Sequence, residues 1–392
     1  MINIKLRKSY SGTTVILFMI LIYLISTLLQ GIIPFSINRI ATFCILLVIL
    51  MENLVNPNKK GVMLIFYICV TAVYTMLMAQ EPDVNLKDYI YFISALLTIQ
   101  FFTNEKNRKE LQKSVQRELN LMKSVIYLAV VLTVISLFIK ANYAISWSER
   151  YYVGFTRDPH AVASSLCLLM AFTLLVFKPE KFAISRMMIL VFLMAVVFMS
   201  GARTFMIPAI LICYVYIKDN LKNQKIKIFV YILATLLIAY IFINSNMMEK
   251  FIWSSNAANQ YATNNLASMS GGRSEFWIID LREFIKQNIF VKFFGRGFDF
   301  PYITNKKYYN MHIWSHNDII DLLLSVGIVG MVIYGKIWKD FLMKSRRHIK
   351  SKMVYGLLLI YVLFPLIFNG MFTYQHYLLS SIIFAMSLEL SN

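Results

Sequence analysis

The sequence WSHNDIIDLLLSVGIVG, from Trp314 to Gly330, places a short polar segment directly before a nearly unbroken run of Ile, Leu and Val. With its apolar continuation to about residue 335, this run is long enough for a transmembrane helix. The polar residues from Ser315 to Asp318 therefore stand where the predicted span meets water. The chemistry that they can perform depends on the side of the membrane that they face.

Similar apolar runs recur along the whole chain of 392 residues, of which 58% are hydrophobic and 15% are charged. A soluble domain usually carries about 25% charged residues. The runs are continuous rather than alternating, which favours membrane helices over a β-barrel. The sequence therefore predicts an all-α, polytopic integral membrane protein of about 12 transmembrane helices. The predicted spans are residues 14–33, 38–54, 62–79, 88–103, 121–140, 160–177, 185–201, 203–217, 228–245, 318–335, 353–370 and 375–390.

The Lys and Arg residues lie mainly in the loops between these spans and give a net charge of +19. The N-terminal segment, with Lys5, Arg7 and Lys8, and the loops on its side of the membrane hold most of the 39 basic residues. Basic loops face the cytoplasm, so we expect both termini to be cytoplasmic. Positive charge concentrated in the loops between spans indicates membrane orientation and contact with lipid headgroups. We therefore expect no nucleic-acid partner.

This topology divides the chain into three parts. Residues 1–245 hold spans one to nine, residues 246–317 form a large extracytoplasmic loop, and residues 318–392 hold spans ten to twelve. The loop is much longer than the usual helix–helix connection of about 2–8 residues. Loops of that length are usually functional or disordered, and the tryptophans and amphipathic pattern of this one argue against disorder.

One stretch of the large loop has the spacing of an amphipathic helix. Trp277, Leu281, Phe284 and Ile285 recur at intervals that place them on one helical face. We expect this helix to lie at the outer membrane interface, and the alternative is that it merely covers the bundle.

The cysteines Cys44, Cys69, Cys167 and Cys213 all fall in apolar runs and lack the short spacing of metal ligands. They are predicted to be buried structural thiols. No cleavage site follows the first apolar run, so we expect it to be a span and not a removable signal peptide.

Four separate segments bring Arg, His and carboxylate side chains to the predicted outer face. They contain Arg157 and His160, Arg203, Arg273, and the consecutive residues His316, Asn317 and Asp318. Paired arginines are suited to binding a diphosphate, and a neutral histidine can accept a proton from a hydroxyl. The N-terminus of the span after Asn317 also attracts anions, with Asn317 or Ser315 as its predicted cap.

Each of these residues also has a structural interpretation. His316 alone is more often a polar residue at a helix end, and Arg203 alone can anchor a span among the headgroups. Arg157 and His160 are more often structural than catalytic. Taken together, however, the set favours an anion-handling site on the outer face.

Three motifs in this region resemble the O-antigen polymerase and O-antigen ligase family. SGART at residues 200–204 resembles the Ser-Gly-x-Arg turn of the family, and GGRSEFW at 271–277 resembles its Gly-Arg-x-x-x-Trp segment. SHNDIIDLLLSVGIVG at 315–330 resembles its His-Asn segment that leads into a span. The motifs occur in the family's order over about residues 185–335, whereas the N-terminal half is similar only in general character.

The resemblance implies a multi-spanning fold like that of the GT-C glycosyltransferases and a location in the bacterial cytoplasmic membrane. It implies a metal-independent glycosyltransferase, without a cofactor, whose donor is an oligosaccharide on undecaprenyl diphosphate and whose acceptor is a sugar hydroxyl. Membrane lipids and a chain-length regulator protein are the further partners it implies.

The roles of individual residues follow from their positions in the motifs. The resemblance implies that Arg203 and Arg273 neutralise the diphosphate leaving group and that His316 activates or orients the acceptor hydroxyl. These three are the predicted catalytic residues. The predicted substrate-binding residues are Arg203, Arg273, Arg157, His160, Glu275, Asn317 and Asp318.

Polymerase and ligase share these motifs, and two other activities remain as alternatives to the polymerase. A ligase would transfer the finished glycan to lipid A core, for which the chain shows no recognisable recognition feature. A flippase or other transporter of lipid-linked sugars usually carries ionisable residues near the membrane midplane. The centres of the predicted spans are nearly free of such residues, so we expect the polymerase.

Overall fold

A computed structural model describes residues 11–33, 36–55, 59–146, 149–177, 184–221, 223–245, 248 and 272–349, with isolated helical positions between 355 and 386. The predicted spans at 353–370 and 375–390 and the first part of the large loop, up to residue 271, therefore lie largely outside the described residues.

The described chain is almost entirely helical. Its α-helices, numbered here in chain order, are α1 Gly12–Leu28, α2 Ile37–Val55, α3 Lys59–Met78, α4 Pro82–Phe102, α5 Glu105–Arg117, α6 Leu119–Leu137, α7 Pro159–Val176, α8 Ile184–Met199, α9 Arg203–Asn220, α10 Gln224–Ile243, α11 Arg273–Lys286, α12 Ile289–Phe294, α13 Phe300–Tyr309 and α14 Asp318–His348. Between α6 and α7 the strands β1 Tyr143–Ser146 and β2 Glu149–Tyr152 form an antiparallel hairpin, flanked by short 3₁₀ turns at Lys140–Asn142 and Gly154–Thr156.

Six of the described helices are long and apolar enough to cross a membrane, namely α2, α3, α6, α7, α10 and α14. Helices α1 and α8 are apolar but shorter. The predicted spans at 88–103 and 203–217 are also helical, as parts of α4 and α9, but do not belong to the six. The fold is consistent with an all-α membrane protein, and the number of twelve spans stays a prediction.

Burial differs sharply between the apolar helices. In α7, 72% of the apolar window is buried, with Leu166, Leu169 and Met170 inaccessible, whereas none of the apolar window of α10 is buried. Helix α7 packs against α1, α6, α8 and α9 and is thus at the centre of the N-terminal bundle. Helix α10 contacts α8 and α9 but keeps most of its apolar surface exposed, which is favourable in lipid and not in water and therefore fits a membrane protein.

The loop that follows α4 contains a regular helix that the span prediction did not include. The Asn104 side chain caps α5 by accepting a hydrogen bond from the Lys106 amide, and Lys109 pairs with Glu105 one turn away. The buried Arg108 side chain donates to the carbonyl oxygens of Phe102 and Thr103. Arg108 therefore has a structural role, because it satisfies the C-terminal carbonyls of α4.

The amphipathic helix of the large loop is present as α11, but its apolar residues do not share one environment. Trp277 and Phe284 pack against a small cluster formed with α13 and α14. Leu281 and Ile285 are exposed, Ile285 by 67%. Helix α11 therefore packs one edge of its apolar face against the protein and leaves the other edge exposed, and its position at the outer membrane interface stays a prediction.

Helix α14 is interrupted within its first three turns, at Gly327, where φ is 67° and ψ is −170°. Only glycine adopts this backbone conformation readily. The loop after α12 lies against the interruption and donates two backbone hydrogen bonds, from Arg296 N to Leu324 O at 2.9 Å and from Gly297 N to Ser325 O at 3.0 Å. The loop thus supplies donors to carbonyl groups that the interrupted helix leaves unpaired.

Replacing Gly327 with alanine should strongly destabilise this region. A Cβ atom there would lie 2.5 Å from the carbonyl carbon and oxygen of Phe293, in addition to the backbone strain. Strain at such positions costs about 1–3 kcal/mol, and the clash adds to it. We expect Gly327→Ala to lower the melting temperature in detergent by several degrees.

Gly335→Ala is the matched control, because Gly335 belongs to the same helix and a Cβ there would meet nothing within 4 Å. Alanine is favoured over glycine in helices by about 1 kcal/mol, so this variant should be as stable as the wild type or slightly more stable. Equal melting temperatures for the two variants would contradict the role assigned to Gly327.

Candidate functional site

The site is built around the turn from Trp314 to Asn317, which leads into α14. The Asn317 side chain accepts hydrogen bonds from the amides of Ile319 and Ile320, at 3.0 and 3.3 Å. It is therefore the N-cap of α14, as the sequence predicted for Asn317 or Ser315. His316 has a φ of 56°, in the left-handed region that residues other than glycine seldom adopt. A backbone held in this conformation requires firm anchors on both sides.

Ser315 provides the second anchor. Its amide and its hydroxyl both donate to Asp321 Oδ1, at 3.0 and 2.7 Å, and its carbonyl oxygen accepts from Trp277 Nε1 at 2.8 Å. Ser315 is fully buried, and these bonds join the turn to α14 on one side and to α11 on the other. The conformation of His316 is thus fixed between a serine held by Asp321 and an asparagine that caps the helix.

The imidazole of His316 lies among aromatic rings. Its ring centre is 4.5 Å from that of Trp314 and 6.4 Å from that of Phe276. Phe276 belongs to the first turn of α11, which begins at Arg273 after Gly272 in a left-handed conformation. The structure therefore brings the GGRSEFW motif and the SHND motif together, with the N-terminal turn of α11 beside His316.

Arg273 and Glu275 lie in this same first turn and are both half-buried. Asp318, by contrast, is fully buried at the start of α14. A helix N-terminus carries positive potential, to which an arginine adds a full charge, so the turn at Arg273 is suited to an anion. The acidic Glu275 favours the helix itself, because a carboxylate in the first turn complements the helix dipole.

The other predicted residues form a second group, around the hairpin and the starts of α7 and α9. Arg203 is half-buried at the N-terminus of α9, after the tight turn Ser200–Ala202, and it interacts electrostatically with Tyr151 of β2. Arg157 has a φ of 60° and its side chain lies over Gly31, at the end of α1.

His160 lies in the first turn of α7, whose cap is Asp158, with the Asp158 carboxylate accepting from the Ala161 amide at 2.7 Å. Extensive packing joins α9 to α7, α8 and α10, whereas α11 packs against α13 and α14. A single site that holds Arg203 together with Arg273 and His316 therefore stays a prediction.

Buried carboxyl groups behind the turn are the main feature that sequence reasoning missed. Asp280 and Asp321 are 0% and 2% exposed, and both lie beside Ser315. Asn305 of α13 donates to Asp280 Oδ2 at 3.5 Å and to the carbonyl of Ile313 at 3.0 Å. The available signal was an aspartate inside each apolar stretch: Asp280 in FWIIDL of the loop, and Asp321, three residues after Asp318, in DIIDLLL at the start of the span.

A third acid, Asp88 of α4, is 2% exposed and accepts a hydrogen bond from the Tyr302 hydroxyl at 2.7 Å. Its other carboxylate oxygen lies 3.4 Å from the Lys87 ammonium. Asp88 thus ties α4 to α13 and belongs to the framework of the site.

Burial raises the pKa of Asp280 from 3.8 to about 7, and hydrogen bonding to Ser315 and Asn305 offsets only part of this effect. With this pKa, Asp280 is about half protonated at neutral pH, whereas an exposed aspartate is ionised there. The same loop region also contains His312, which is exposed and hydrogen-bonded to Glu81.

Among the described residues, no group of three or more His, Cys, Asp or Glu side chains is arranged to hold a metal ion. The cysteines are all free thiols. The prediction that all four are buried holds for Cys167 and Cys213 but is wrong for Cys69, which is exposed on α3, and Cys44 is half-buried. Exposure of an apolar thiol on α3 accords with the general exposure of that helix.

No model of a known protein family, no curated protein and no solved structure matches the chain. The chemistry of the site therefore rests on the residues that the fold brings together.

The raised pKa of Asp280 makes the stability of the protein depend on pH. The unfolded chain ionises Asp280 near pH 4 and the folded protein near pH 7, so stability is greatest below pH 4 and is lost as pH rises to about 7. This contribution changes by up to about 1.4 kcal/mol for each pH unit in that window. Asp280→Asn should remove it, giving a flatter curve of melting temperature against pH in detergent.

Asp83→Asn serves as the control, because Asp83 is an exposed aspartate at the start of α4. It should leave the fall in stability between about pH 4 and pH 7 unchanged. A wild-type curve that Asp280→Asn fails to flatten would show that Asp280 ionises as readily in the folded protein as in the unfolded chain.

Proposed function

We propose that the chain is a polymerase of lipid-linked oligosaccharide repeat units, a glycosyltransferase that works on the outer face of the bacterial cytoplasmic membrane. Its donor is a glycan on undecaprenyl diphosphate, and its acceptor is a sugar hydroxyl of the next repeat unit. The observation that carries the proposal is the contact between the two motif segments, in which Trp277 and Phe276 of α11 meet Ser315 and His316.

The proposed reaction needs an anion-binding group and a proton acceptor close together. The acceptor hydroxyl attacks the anomeric carbon, the bond from this carbon to the diphosphate oxygen breaks, and the diphosphate leaves with the electron pair. His316 takes the hydroxyl proton, and the turn at Arg273 stabilises the charge on the departing diphosphate. Arg203 completes the cationic clamp in this proposal, and Arg157, His160, Glu275, Asn317 and Asp318 are the proposed substrate contacts.

The proposed fold is a twelve-span, GT-C-like bundle with cytoplasmic termini, in contact with membrane lipids and a chain-length regulator. The buried acids Asp88 and Asp321 lie in the first two turns of α4 and α14, not near the middle of those helices. A midplane position is expected in an ion-coupled transporter. Their placement at helix ends therefore supports chemistry at one membrane face over transport.

The topology on which this proposal depends is open to a direct test. Lys306 is an exposed residue of α13, in the proposed extracytoplasmic loop. A Lys306→Cys variant, made in a chain whose four native cysteines are replaced, should react with a membrane-impermeant thiol reagent in intact spheroplasts. A cysteine at Lys109, on the proposed cytoplasmic helix α5, should react only after lysis. The reverse pattern would place His316 in the cytoplasm and refute the proposal.

The role of Arg273 is tested with purified protein in liposomes that contain the lipid-linked oligosaccharide. Arg273→Ala should weaken donor binding and lose most polymer product, and Arg273→Lys should restore only part of it, because an ammonium cannot make a planar two-pronged contact. Arg282→Ala, an exposed arginine on the same helix, should act like the wild type.

In the same assay His316→Ala should lower turnover by about a hundred- to ten-thousand-fold, the usual cost of removing a general base, while donor binding survives. His312→Ala is the matched histidine control. If His316→Ala instead loses donor binding and keeps normal turnover at saturating donor, His316 belongs to the diphosphate site. Transfer of preformed long chains to a lipid A core acceptor, without polymerisation, would indicate the ligase.

A further inference from the structure

The Ser315 hydroxyl is hydrogen-bonded to one buried carboxyl group, that of Asp321, and acts electrostatically on a second, that of Asp280. It donates to Asp321 Oδ1 at 2.7 Å, and its side chain also lies close enough to Asp280 to influence the ionisation of that group. A serine hydroxyl has one hydrogen and can donate to only one acceptor at a time. If both acids were ionised, one of them would face the serine oxygen without a hydrogen between them.

Two other oxygen atoms of these acids raise the free-energy cost of ionising both carboxyl groups. Within the part of the chain that the structure describes, Asp280 Oδ1 and Asp321 Oδ2 are buried and have no hydrogen-bond partner. An ionised carboxylate in such a position is costly because nothing replaces its hydration. A proton on one of the two acids removes one of these buried charges.

The charged groups around the pair do not compensate for two negative charges. Asp321 is influenced by the acids Asp280 and Asp88, and Asp88 has its own cation in Lys87. On α11, Glu275 and Arg282 lie within electrostatic reach of Tyr309 on α13, as does Asp280. The charged groups that act on Asp321 are therefore themselves acids, and Arg282 is exposed on the surface of α11.

We infer that Asp280 and Asp321 share one proton across the Ser315 hydroxyl and that the pair is the positioning device for His316. In this arrangement protonated Asp280 donates to Ser315 Oγ, and Ser315 donates to Asp321. These two consecutive hydrogen bonds fix Ser315. Because Ser315 precedes His316 directly, they also hold the left-handed backbone of His316 in place. This role rests on the proposed function of His316, whereas the shared proton does not.

Loss of the shared proton has a definite consequence for the turn. Two carboxylates on either side of Ser315 repel each other in a buried space, and the turn that holds His316 must loosen to admit water or a cation. Turnover should then fall above neutral pH, because burial raises the pKa at which the pair gives up its last proton. At low pH the proposed base His316 is protonated, so the profile of kcat against pH should be bell-shaped.

A double-mutant cycle tests the shared proton without reference to activity. The melting temperature of the full chain in detergent is measured from pH 4 to pH 9 for the wild type, Asp280→Asn, Asp321→Asn and the double variant. If the acids share a proton, either single substitution should remove most of the pH dependence and the second should add little. If each single variant removes only its own share and the double variant removes the sum, the two acids titrate independently and the inference is wrong.

The positioning role is tested by turnover. An asparagine at residue 280 has a permanent N–H donor for Ser315, so Asp280→Asn should keep kcat near pH 7 and lose the alkaline fall. Asp280→Ala and Ser315→Ala cannot close the chain of hydrogen bonds and should lower kcat tenfold or more, with little change in the KM for donor. Ser325→Ala is the control, because the hydroxyl of this buried serine bonds only to the Asp321 carbonyl among the described residues.

The outcomes separate this inference from the proposed function. A wild type without glycosyltransferase activity refutes the proposed function, while the unfolding cycle still decides whether one proton is shared. A third outcome is a non-additive unfolding cycle together with an Asp280→Asn variant whose kcat still falls at alkaline pH. That outcome would support the shared proton but refute its role in positioning His316.

Discussion

The interruption of α14 at Gly327 is the constraint on which the candidate site depends. A broken helix exposes carbonyl groups that must find donors, and in a membrane they cannot rely on water. The loop at 295–297 supplies these donors and is held there by further contacts, since Tyr74 donates to the Gly295 carbonyl at 2.7 Å. The glycine and the loop therefore determine each other: without the glycine the loop cannot approach, and without the loop the broken helix leaves polar groups unpaired.

Hydrogen bonds of buried polar side chains connect this junction to the candidate site. Asp299 accepts from the amides of Gln80 and Glu81 at 2.6 and 2.8 Å, and the Asn85 side chain accepts from the Phe298 amide at 2.6 Å. These bonds fix the start of α13, and Asn305 on that helix then reaches Asp280. Each bond contributes little on its own, but an unpaired buried partner costs about 1–3 kcal/mol. The network is therefore most useful as a means of fixing one arrangement.

Much of the helical framework and one element of the turn could be predicted from the sequence, because apolar length and capping chemistry are local properties. The long runs at α2, α7 and α10 and the Asn317 cap are of this kind. The helix α5 and the face that α11 turns to the protein could not be found by searching for apolar runs. The Asp280–Ser315–Asp321 arrangement was missed for another reason: its members are far apart in sequence, and each aspartate alone is only a polar residue in an apolar stretch. Whether Arg203 joins Arg273 is likewise a question of long-range packing.

Electrostatics explains why acids with one proton would suit a site that handles a diphosphate. A group that receives a leaving diphosphate must present positive potential, and buried carboxylates nearby would oppose it. Two full negative charges beside Ser315 would draw Arg273 inward and raise the affinity of His316 for a proton, which would remove the base. With one shared proton the acids keep their geometric role and contribute only a single charge. The pair then anchors the turn from behind, while the N-terminal turn of α11 and its arginine remain available to the anion in front.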